Sequence, residues 1–368
     1  MPKKSLGIMI SQVEKHDQFA ERSYFEQLSG VATQDHLTVF LFSPVWINWD
    51  ERSTYGFFFD SKEKEWSSGT IPIPTFIYDR CFYTNLNHYN KYHSFVDRLR
   101  KDKSITFLNT PLSGKWQMHQ LLSKHEEIES YLPKTELYSD INQIIDWFQN
   151  RDTLFLKPVN GTHGLGIYRI RKMKDEAYII QGRTSPKRQP IHKTLDENSL
   201  HLYINSLVQN KRYIMQQALD LTTHEGDVFD IRVLVQKERS EDWKITGSAV
   251  RIGLNGSITS NLHSGGKAMN LIPFLQQEYP TNTAQSIHSQ IEYIVNRLPH
   301  FIEAYHGRLC EIGLDLGVDR SGKVWLLEAN SKPGRRVFDM TNSPKSKLIS
   351  ITRPIVYAQY LMQRKIGG

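Results

Sequence analysis

Residues 309–338 read LCEIGLDLGVDRSGKVWLLEANSKPGRRVF. Two apolar runs flank the polar run at residues 319–322, and this pattern predicts a β-hairpin. Glu328 and Asn330 are two residues apart, so on a strand their side chains lie on the same face. The hairpin would bring Asp315 beside them, giving three oxygen donors of the kind that Mg²⁺ binds together with water and phosphate. An ordinary acidic hairpin is the alternative at this point.

A second motif is the glycine-rich run FLKPVNGTHGLGIYRI at residues 155–170. Glycines let backbone N–H groups approach anionic oxygens, and Lys157 adds a positive charge just before the turn. Walker A and Rossmann loops lead into a helix, whereas residues 167–170 continue as a strand. We therefore predict a phosphate-binding flap between two antiparallel strands. An ordinary glycine hairpin is the alternative.

A third motif begins with the alternating run FDIRVLVQ, in which Asp230 and Arg232 share one face of a predicted strand. Arg251 ends the next predicted strand, and Asn261 and the pair Gly265-Gly266 follow it. Two arginines at one site suit bidentate binding of phosphate or carboxylate. The glycine pair offers backbone donors where negative charge could develop. The alternative is a solvent-facing strand with a surface ion pair.

Composition limits the class of protein. The hydrophobic fraction is 39% and the aromatic fraction 11%, enough for a sizeable core, which excludes wholesale disorder. Cys81 and Cys310 are far apart in sequence, which argues against a disulfide scaffold and for a reducing compartment. No apolar segment approaches the roughly 18 residues needed to span a bilayer. We expect a cytoplasmic protein that does not enter the membrane.

The formal net charge of +7 raises the question of a nucleic-acid partner. The basic residues are spread along the chain, with modest clusters at residues 169–172 and 211–212. No aromatic-plus-basic module of the RNA-binding kind is present. Because a pocket for a polyphosphate or an acidic substrate also needs positive charge, nucleic-acid binding is not favoured.

The order of predicted elements indicates an α/β (α+β) fold. Strands at residues 6–10 and 37–42 flank a helix at 19–32, which predicts a parallel pair. Further helices are predicted at residues 115–124 and 141–149, the latter capped by Asp140. A closing helix is predicted at residues 346–361, with Pro354 near its start.

Taken in order, these motifs resemble the ATP-grasp superfamily, and FDIRV and LLEAN are similar to its glutathione-synthetase and glutamate-ligase branch. The longer strings FLKPVNGTHGLGIYRI, FDIRVLVQKERSEDW and LLEANSKPGRR resemble the YheC/YheD group of spore-coat-associated proteins. The resemblance covers residues 110–360, and the first hundred only by their α/β character. It implies an ATP-grasp fold with an N-terminal α/β domain at 1–108, a small lobe at 109–220 and a large lobe at 221–368.

The resemblance implies that ATP binds between the two lobes. Lys115 and Lys157 would bind its phosphates, and a hinge would hold the adenine, with Asp220 near the ribose. Gln216 of this hinge stands where many relatives carry Glu. The remaining residues implied near the nucleotide are Asn160, Gly161, Thr162, His163, Gly164, Gly166, Gln217, Ala218, Leu219 and Asp230.

The resemblance also implies two Mg²⁺ ions and a reaction centre beside them. The implied metal ligands are Asp315, Glu328 and Asn330. The residues implied around the transferred phosphoryl group are Arg232, Arg251, Asn261, Gly265 and Gly266. At the mouth of the cleft, Lys332, Arg335 and Arg336 are expected to bind a substrate carboxylate.

The implied activity is an ATP- and Mg²⁺-dependent carboxylate–amine ligase that forms an amide through an acyl phosphate. Its expected partners are ATP, a carboxylate, an amine and, for a role in spore formation, spore coat proteins. One alternative is an ATP-binding structural or assembly protein of the coat without turnover. Others are an ATP-dependent phosphotransferase and a basic nucleic-acid binder, whose affinity would fall steeply with salt.

Overall fold

The computed structural model describes residues 5–11, 19–83, 86–161, 165–184, 190–209, 211–254, 257–258, 260 and 265–367. In these ranges the strands form three sheets, and helices pack against each of them. Some predicted site residues lie outside the described residues. These are Thr162, His163 and Gly164 of the glycine loop, and Asn261. None of the helices in the described ranges is both long and apolar enough to cross a membrane.

The N-terminal sheet combines parallel strands with an antiparallel hairpin. Its elements are β1 (Ser5–Met9), α1 (Arg22–Gln34), β2 (Thr38–Asn48), β3 (Ser53–Asp60), β4 (Glu65–Pro72), β5 (Phe76–Asp79), α2 (Leu86–Lys101) and β6 (Thr106–Phe107). Strand β1 pairs in parallel with β2 and β5, which confirms the predicted parallel pair. The β3–β4 hairpin was not predicted, because β4 is mostly exposed and lacks an apolar face.

The second sheet is antiparallel and carries the glycine-rich motif. Its region contains α3 (Lys115–Leu122), α4 (Glu126–Glu129), β7 (Thr135–Leu137), α5 (Ile141–Trp147), β8 (Thr153–Pro158), β9 (Tyr168–Lys172), β10 (Tyr178–Gly182), β11 (Ile191–Leu195), α6 (Glu197–Val208) and β12 (Tyr213–Gln217). The strand order is β11-β10-β9-β8-β12-β7. As predicted, the Asp140 side chain caps α5, accepting hydrogen bonds from the backbone N–H groups of Asn142 and Gln143. Helices α5 and α6 cover one face of this sheet.

The third sheet carries the other two motifs. Its region contains β13 (Phe229–Lys237), β14 (Trp243–Ile252), β15 (Lys267–Asn270), α7 (Leu271–Glu278), α8 (Thr281–His306), β16 (Glu311–Val318), β17 (Val324–Asn330), α9 (Arg336–Met340) and α10 (Pro344–Gly367). The strand order is β15-β14-β13-β16-β17. Helix α8 buries Ile287, Ile291, Ile294 and Leu298 against the sheet, a spacing of three or four residues that forms one helical face.

Two helices pack outside the lobes to which sequence boundaries assign them. Met118 and Leu122 of α3 lie in the core of the third sheet, with Ile231 and Val250. Ile355 of α10 lies in the core of the N-terminal sheet. The division at residues 108 and 220 therefore stays a proposal about the lobes, and two of the hydrophobic cores contain residues from both sides of a boundary.

Helix α10 begins earlier than predicted, so the expectation that Pro354 lies near its start is wrong. The helix begins at Pro344, where a missing N–H costs nothing because the first-turn N–H groups have no intrahelical partner. Pro354 is inside the helix and cannot donate to the Ser350 carbonyl. That carbonyl instead accepts hydrogen bonds from Gln236 Nε2 at 2.9 Å and Arg335 Nε at 3.2 Å.

Candidate functional site

The β16–β17 hairpin brings its two carboxylates together. In the antiparallel register Asp315 lies directly opposite Glu328, and Gly313 lies opposite Asn330. The turn closes with a 2.9 Å hydrogen bond from Gly322 N to the Asp319 carbonyl; Gly322 has a φ of 82°, a conformation that favours glycine. The hairpin and the cross-strand position of Asp315 are thus confirmed.

A row of opposite charges crosses the third sheet from β14 to β16. Register places Arg251 opposite Asp230 and Arg232 opposite Asp315. Both oxygens of Asp315 accept hydrogen bonds from Arg232, and Arg251 Nη2 lies 3.0 Å from Asp315 Oδ2. Arg251 also donates to both oxygens of Asp230, at 2.6 and 2.5 Å. The four side chains are only 10–15% exposed, so this is not the surface ion pair considered as an alternative.

These contacts set the charge state of the row. Burial alone would raise the pKa of Asp315, but the guanidiniums of Arg232 and Arg251 hold it below its ordinary value. Burial raises the pKa of Asp230, and Arg251 opposes that rise. Both arginines use Nε and Nη2 in these pairs, and their Nη1 atoms make no hydrogen bond to any described residue. With respect to the described residues, one N–H-bearing nitrogen of each guanidinium is therefore without an acceptor, and an anionic ligand would supply one.

Lys115 connects the hairpin to the glycine-rich loop. Its Nζ lies 2.6 Å from Glu328 Oε1 and 3.2 Å from the Gly161 carbonyl. The residue before it, Gly114, packs closely against the loop, since a Cβ there would lie 2.6 Å from Asn160 Oδ1. The start of α3, the loop after β8 and the end of β17 therefore meet at one place.

Lys157 lies on β8, one strand away from the hinge. Its Nζ donates to Gln216 Oε1 at 2.5 Å, and Gln216 Nε2 donates to Thr135 Oγ1 at 3.0 Å. Burial and the nearby Lys115 charge lower the pKa of Lys157 to about 8, with Glu328 opposing the shift. Strands β8 and β9 pair in antiparallel fashion, which confirms the predicted strand–loop–strand arrangement of the flap.

The predicted hinge, residues 215–220, begins in the last residues of β12 and continues beyond the strand. The Gln217 N–H donates to the Lys134 carbonyl at 2.8 Å, so it is not available to an adenine in this arrangement. Asp220 pairs with Arg320 on the hairpin turn, Nε to Oδ2 at 2.7 Å, and both side chains are exposed. The assignments of the hinge and of Asp220 to adenine and ribose remain predictions.

The three basic residues after β17 have different environments. Lys332 Nζ binds Asp79 Oδ1 at 2.8 Å and the Cys81 carbonyl at 2.7 Å. Arg335 does not lie at the mouth of the cleft, so that expectation is wrong. Arg335 Nη2 binds Glu311 Oε2 at 2.5 Å, and only 8% of its side chain is exposed. Arg336, which begins α9, is exposed.

The glycine pair of the third motif leads into β15, the strand beside Arg251. Gly265 has a φ of 94°, and β15 pairs with β14 so that Ala268 lies opposite Arg251. Gly265 and Gly266 are thus close in the chain to the strand that neighbours the charged row. The assignment of Arg251 and the glycine pair to the transferred phosphoryl group remains a prediction.

Sequence reasoning missed the polar cluster at the end of β5. Asp79 is buried and binds Lys332 as well as Arg100, at 3.0 Å, and the Asn109 side chain accepts from the Asp79 N–H. The sequence could have indicated this cluster, because Asp79 ends the parallel strand β5, and the carboxyl ends of such strands form the sheet edge where ligands of α/β folds bind. Thr135, the partner of Gln216, was also missed; nothing in its short extended segment marks it.

The donor set suits Mg²⁺. Among the described residues no three His, Cys, Asp or Glu side chains are grouped to hold a metal ion. Asp315 and Glu328 are neighbours across the hairpin, and Asn330 is on the same face as Glu328. Mg²⁺ commonly takes one or two protein carboxylates and completes its octahedron with water and phosphate, which this set matches.

The comparisons with known proteins agree with this geometry. A model of the YheC/D-like ATP-grasp family matches residues 104–361. The chain belongs to this family. It is 28% identical to the endospore coat-associated protein YheD of Bacillus subtilis (strain 168) over 95% of this chain and 76% of YheD. It is 26% identical to YheC of the same organism over 94% of both chains.

Solved structures show the same fold. D-alanyl-alanine synthetase A from Vibrio cholerae O1 biovar eltor str. N16961 matches with a TM-score of 0.55 and 12% sequence identity, over 99% of this chain and 97% of that one. At this identity the similarity establishes the fold and no more. The chain therefore has an ATP-grasp fold, as predicted from the order of its motifs.

Proposed function

We propose that this member of the YheC/D-like ATP-grasp family is an ATP- and Mg²⁺-dependent carboxylate–amine ligase. The proposal rests on one observation: Lys115 contacts both Glu328 and the glycine-rich loop. It brings the candidate phosphate-binding residues and the candidate metal ligands to the same cleft. The row of opposite charges lies beside them, with Asp315 one strand away from Glu328 and Arg232 two strands away.

In this proposal Lys115, Lys157 and the flap bind the triphosphate, and Asp315, Glu328 and Asn330 hold Mg²⁺. Bound Mg²⁺ supplies positive charge that offsets the charge of the triphosphate. The Nη1 atoms of Arg232 and Arg251 bind oxygens of the transferred phosphoryl group. Because their carboxylate partners already fix both guanidiniums, little reorganisation is needed when charge develops.

The reaction has two steps. A substrate carboxylate attacks the γ-phosphorus of ATP, which gives an acyl phosphate and ADP. An amine then attacks the acyl carbon, phosphate leaves and the amine loses a proton, which gives the amide. These residues act by positioning and electrostatics, and no protein nucleophile is required.

A second function is an ATP-binding assembly protein of the spore coat. The observation in its favour is that the two curated relatives are named endospore coat-associated proteins. In that case spore coat proteins would be the partners, the nucleotide would order the cleft, and no turnover would follow. The two functions differ in their products rather than in ATP binding.

Product analysis tests the proposal. The protein is incubated with Mg-ATP and mixtures of amino acids and short peptides, one set carrying ¹⁸O in the carboxylates. A ligase releases ADP and phosphate in equal amounts, only with both substrates present, and ¹⁸O from the carboxylate is transferred to phosphate. A phosphorylated product without free phosphate indicates a phosphotransferase. ATP binding without ADP release in every mixture supports the assembly function.

A further inference from the structure

Among the described residues, one face of the second sheet joins no hydrophobic core along β9, β10 and β11. Leu154, Leu156, Ile170 and Ile180 are buried against α5 and α6. The residues between them in sequence point to the opposite side because side chains alternate along a strand. We call that opposite side the open face. It includes Lys157 and Phe155 of β8, so it is continuous with the candidate nucleotide site.

The open face is positively charged. Register and alternation give it the basic residues Lys157, Arg169 and Arg171, and no Asp or Glu side chain on the paired strands described here. Its other members are uncharged; Leu137, Thr153, Phe155, Ile179, Gln181 and Thr194 are at least partly exposed, whereas Thr135, Ile214 and Gln216 are buried. The proposed ligase mechanism uses Lys157 and leaves the two arginines without a role.

The two arginines have no carboxylate partner among the described residues. Arg169 donates from Nε and Nη2 to Gln181 Oε1, at 3.0 and 2.5 Å, so its contact is a neutral amide. Arg171 is exposed. Burial and the neighbouring Arg171 guanidinium lower the pKa of Arg169, which means that the two like charges repel each other. An anionic ligand would relieve this repulsion.

Spacing indicates what kind of anion fits. Arg169 and Arg171 are two residues apart, which on a strand separates them by about 6.6–6.8 Å. Alternate side chains of an extended peptide have the same separation, so two carboxylates at positions i and i+2 can each meet one guanidinium. Arg169 lies opposite Phe155 of the neighbouring strand β8, about 4.8 Å away across the sheet. Lys157 is on the same strand, two residues after Phe155.

We propose that the open face binds an acidic peptide segment of the ligase substrate and thereby holds the reacting group in the cleft. The inference rests on the proposed function and names its substrate class, a peptide with alternating carboxylates. A single-stranded nucleic acid is less favoured because such ligands stack their bases on aromatic side chains. Phe155 is the single aromatic residue on the described strands of this face, and it lies towards the nucleotide site.

Binding of a labelled peptide of Glu-Gly repeats, followed by fluorescence anisotropy, tests the inference on the full-length protein. The decisive variant is Arg169→Gln/Arg171→Gln, and Arg171→Gln alone serves as a variant whose exposed position leaves folding intact. Lys172→Gln is the matched control, because Lys172 is on the same strand but points to the other face. We expect the double variant to bind roughly five- to tenfold more weakly, and Lys172→Gln to bind as wild type.

Thermal shift with Mg-ATP is measured on the same proteins. We expect the double variant to keep the ATP shift, which separates the peptide surface from the nucleotide site. If wild type does not bind the peptide, or if both arginine variants bind it as wild type does, the inference is wrong. It is also overturned if the double variant loses the ATP shift, or if an oligonucleotide binds more tightly than the peptide. Failure of the proposed function is distinguishable, because it shows in the product analysis as an absence of ADP release in every substrate mixture, whatever the affinity for the peptide.

Discussion

Lys115 Nζ lies 2.6 Å from Glu328 Oε1, so a candidate phosphate ligand and a candidate metal ligand neutralise each other across the cleft. Binding of Mg-ATP would exchange this ion pair for two others, lysine with phosphate and carboxylate with metal. The lysine at the start of α3 and the carboxylate on β17 are 213 residues apart in sequence. Their contact is what joins the phosphate-binding and metal-binding motifs into one site.

Glu328→Gln should abolish most of the stabilisation by Mg-ATP. A ligand at 100 times its Kd raises the free energy of unfolding by about 2.7 kcal/mol, and the variant loses a metal ligand. The measurement is thermal unfolding with and without Mg-ATP. Glu241→Gln, which removes an exposed carboxylate paired with Arg364, is the control and should respond as wild type. An undiminished ATP shift in Glu328→Gln would show that this carboxylate holds no metal.

ATP affinity should fall as pH rises above about 8. The pKa of Lys157 in the free protein is lowered to about 8, and phosphate binds the protonated amine, so binding weakens by up to roughly tenfold per pH unit above that value. The same shift affects stability in the opposite direction. The unfolded chain holds this proton up to its ordinary pKa near 10.5, so between about 8 and 10.5 the contribution of Lys157 to stability rises with pH.

Two variants check this assignment of the pH dependence. Lys157→Arg keeps its charge throughout the range and should bind ATP without the decline above pH 8. Gln216→Glu places a carboxylate beside the amine, which should raise the pKa of Lys157 and move the decline to higher pH. A decline that is unchanged in both variants would assign the titration to another group.

Glu311→Gln should lower the free energy of unfolding by about 3–5 kcal/mol. Glu311 is fully buried and binds Arg80 at 3.0 Å and Arg335 at 2.5 Å, so the variant leaves two buried guanidiniums with too little negative charge. Urea unfolding measures the loss. Asp220→Asn breaks an exposed ion pair and should cost less than about 1 kcal/mol. Equal losses in the two variants would contradict the role given to burial.

Arg336→Ala should raise the KM for the carboxylate substrate more than it changes ATP affinity. The side chain is exposed and follows the candidate metal strand by six residues, within reach of a substrate beside the hairpin. The measurement is steady-state kinetics combined with ATP binding. Arg335→Ala is an informative contrast, since that residue is buried and its loss should reduce stability. An unchanged KM in Arg336→Ala would remove Arg336 from the substrate site.

Short sequence patterns correctly predicted the features that depend on residues close together in the chain. Alternation along β13 predicted that Asp230 and Arg232 share a face, and the apolar runs around residues 319–322 predicted the hairpin that sets Asp315 opposite Glu328. Arg335 could not be placed in this way. Its neighbour Arg336 has the same chemistry and is exposed, and what distinguishes the two is the buried contact of Arg335 with Glu311.

The sequence by itself determined the strands that carry the three motifs, which of their charged residues share a face, and the family, because these depend on side-chain periodicity and on short motifs in a set order. Tertiary structure alone decided which charges neutralise one another. The partners Lys115 and Glu328, and likewise Arg80 and Glu311, come from distant segments. It also decided that α10 closes the core of the N-terminal sheet, and that Arg169 and Arg171 have no acidic partner in the part of the chain that the structure describes. Pairing across such distances depends on how sheets and helices pack, and a local pattern does not contain that information.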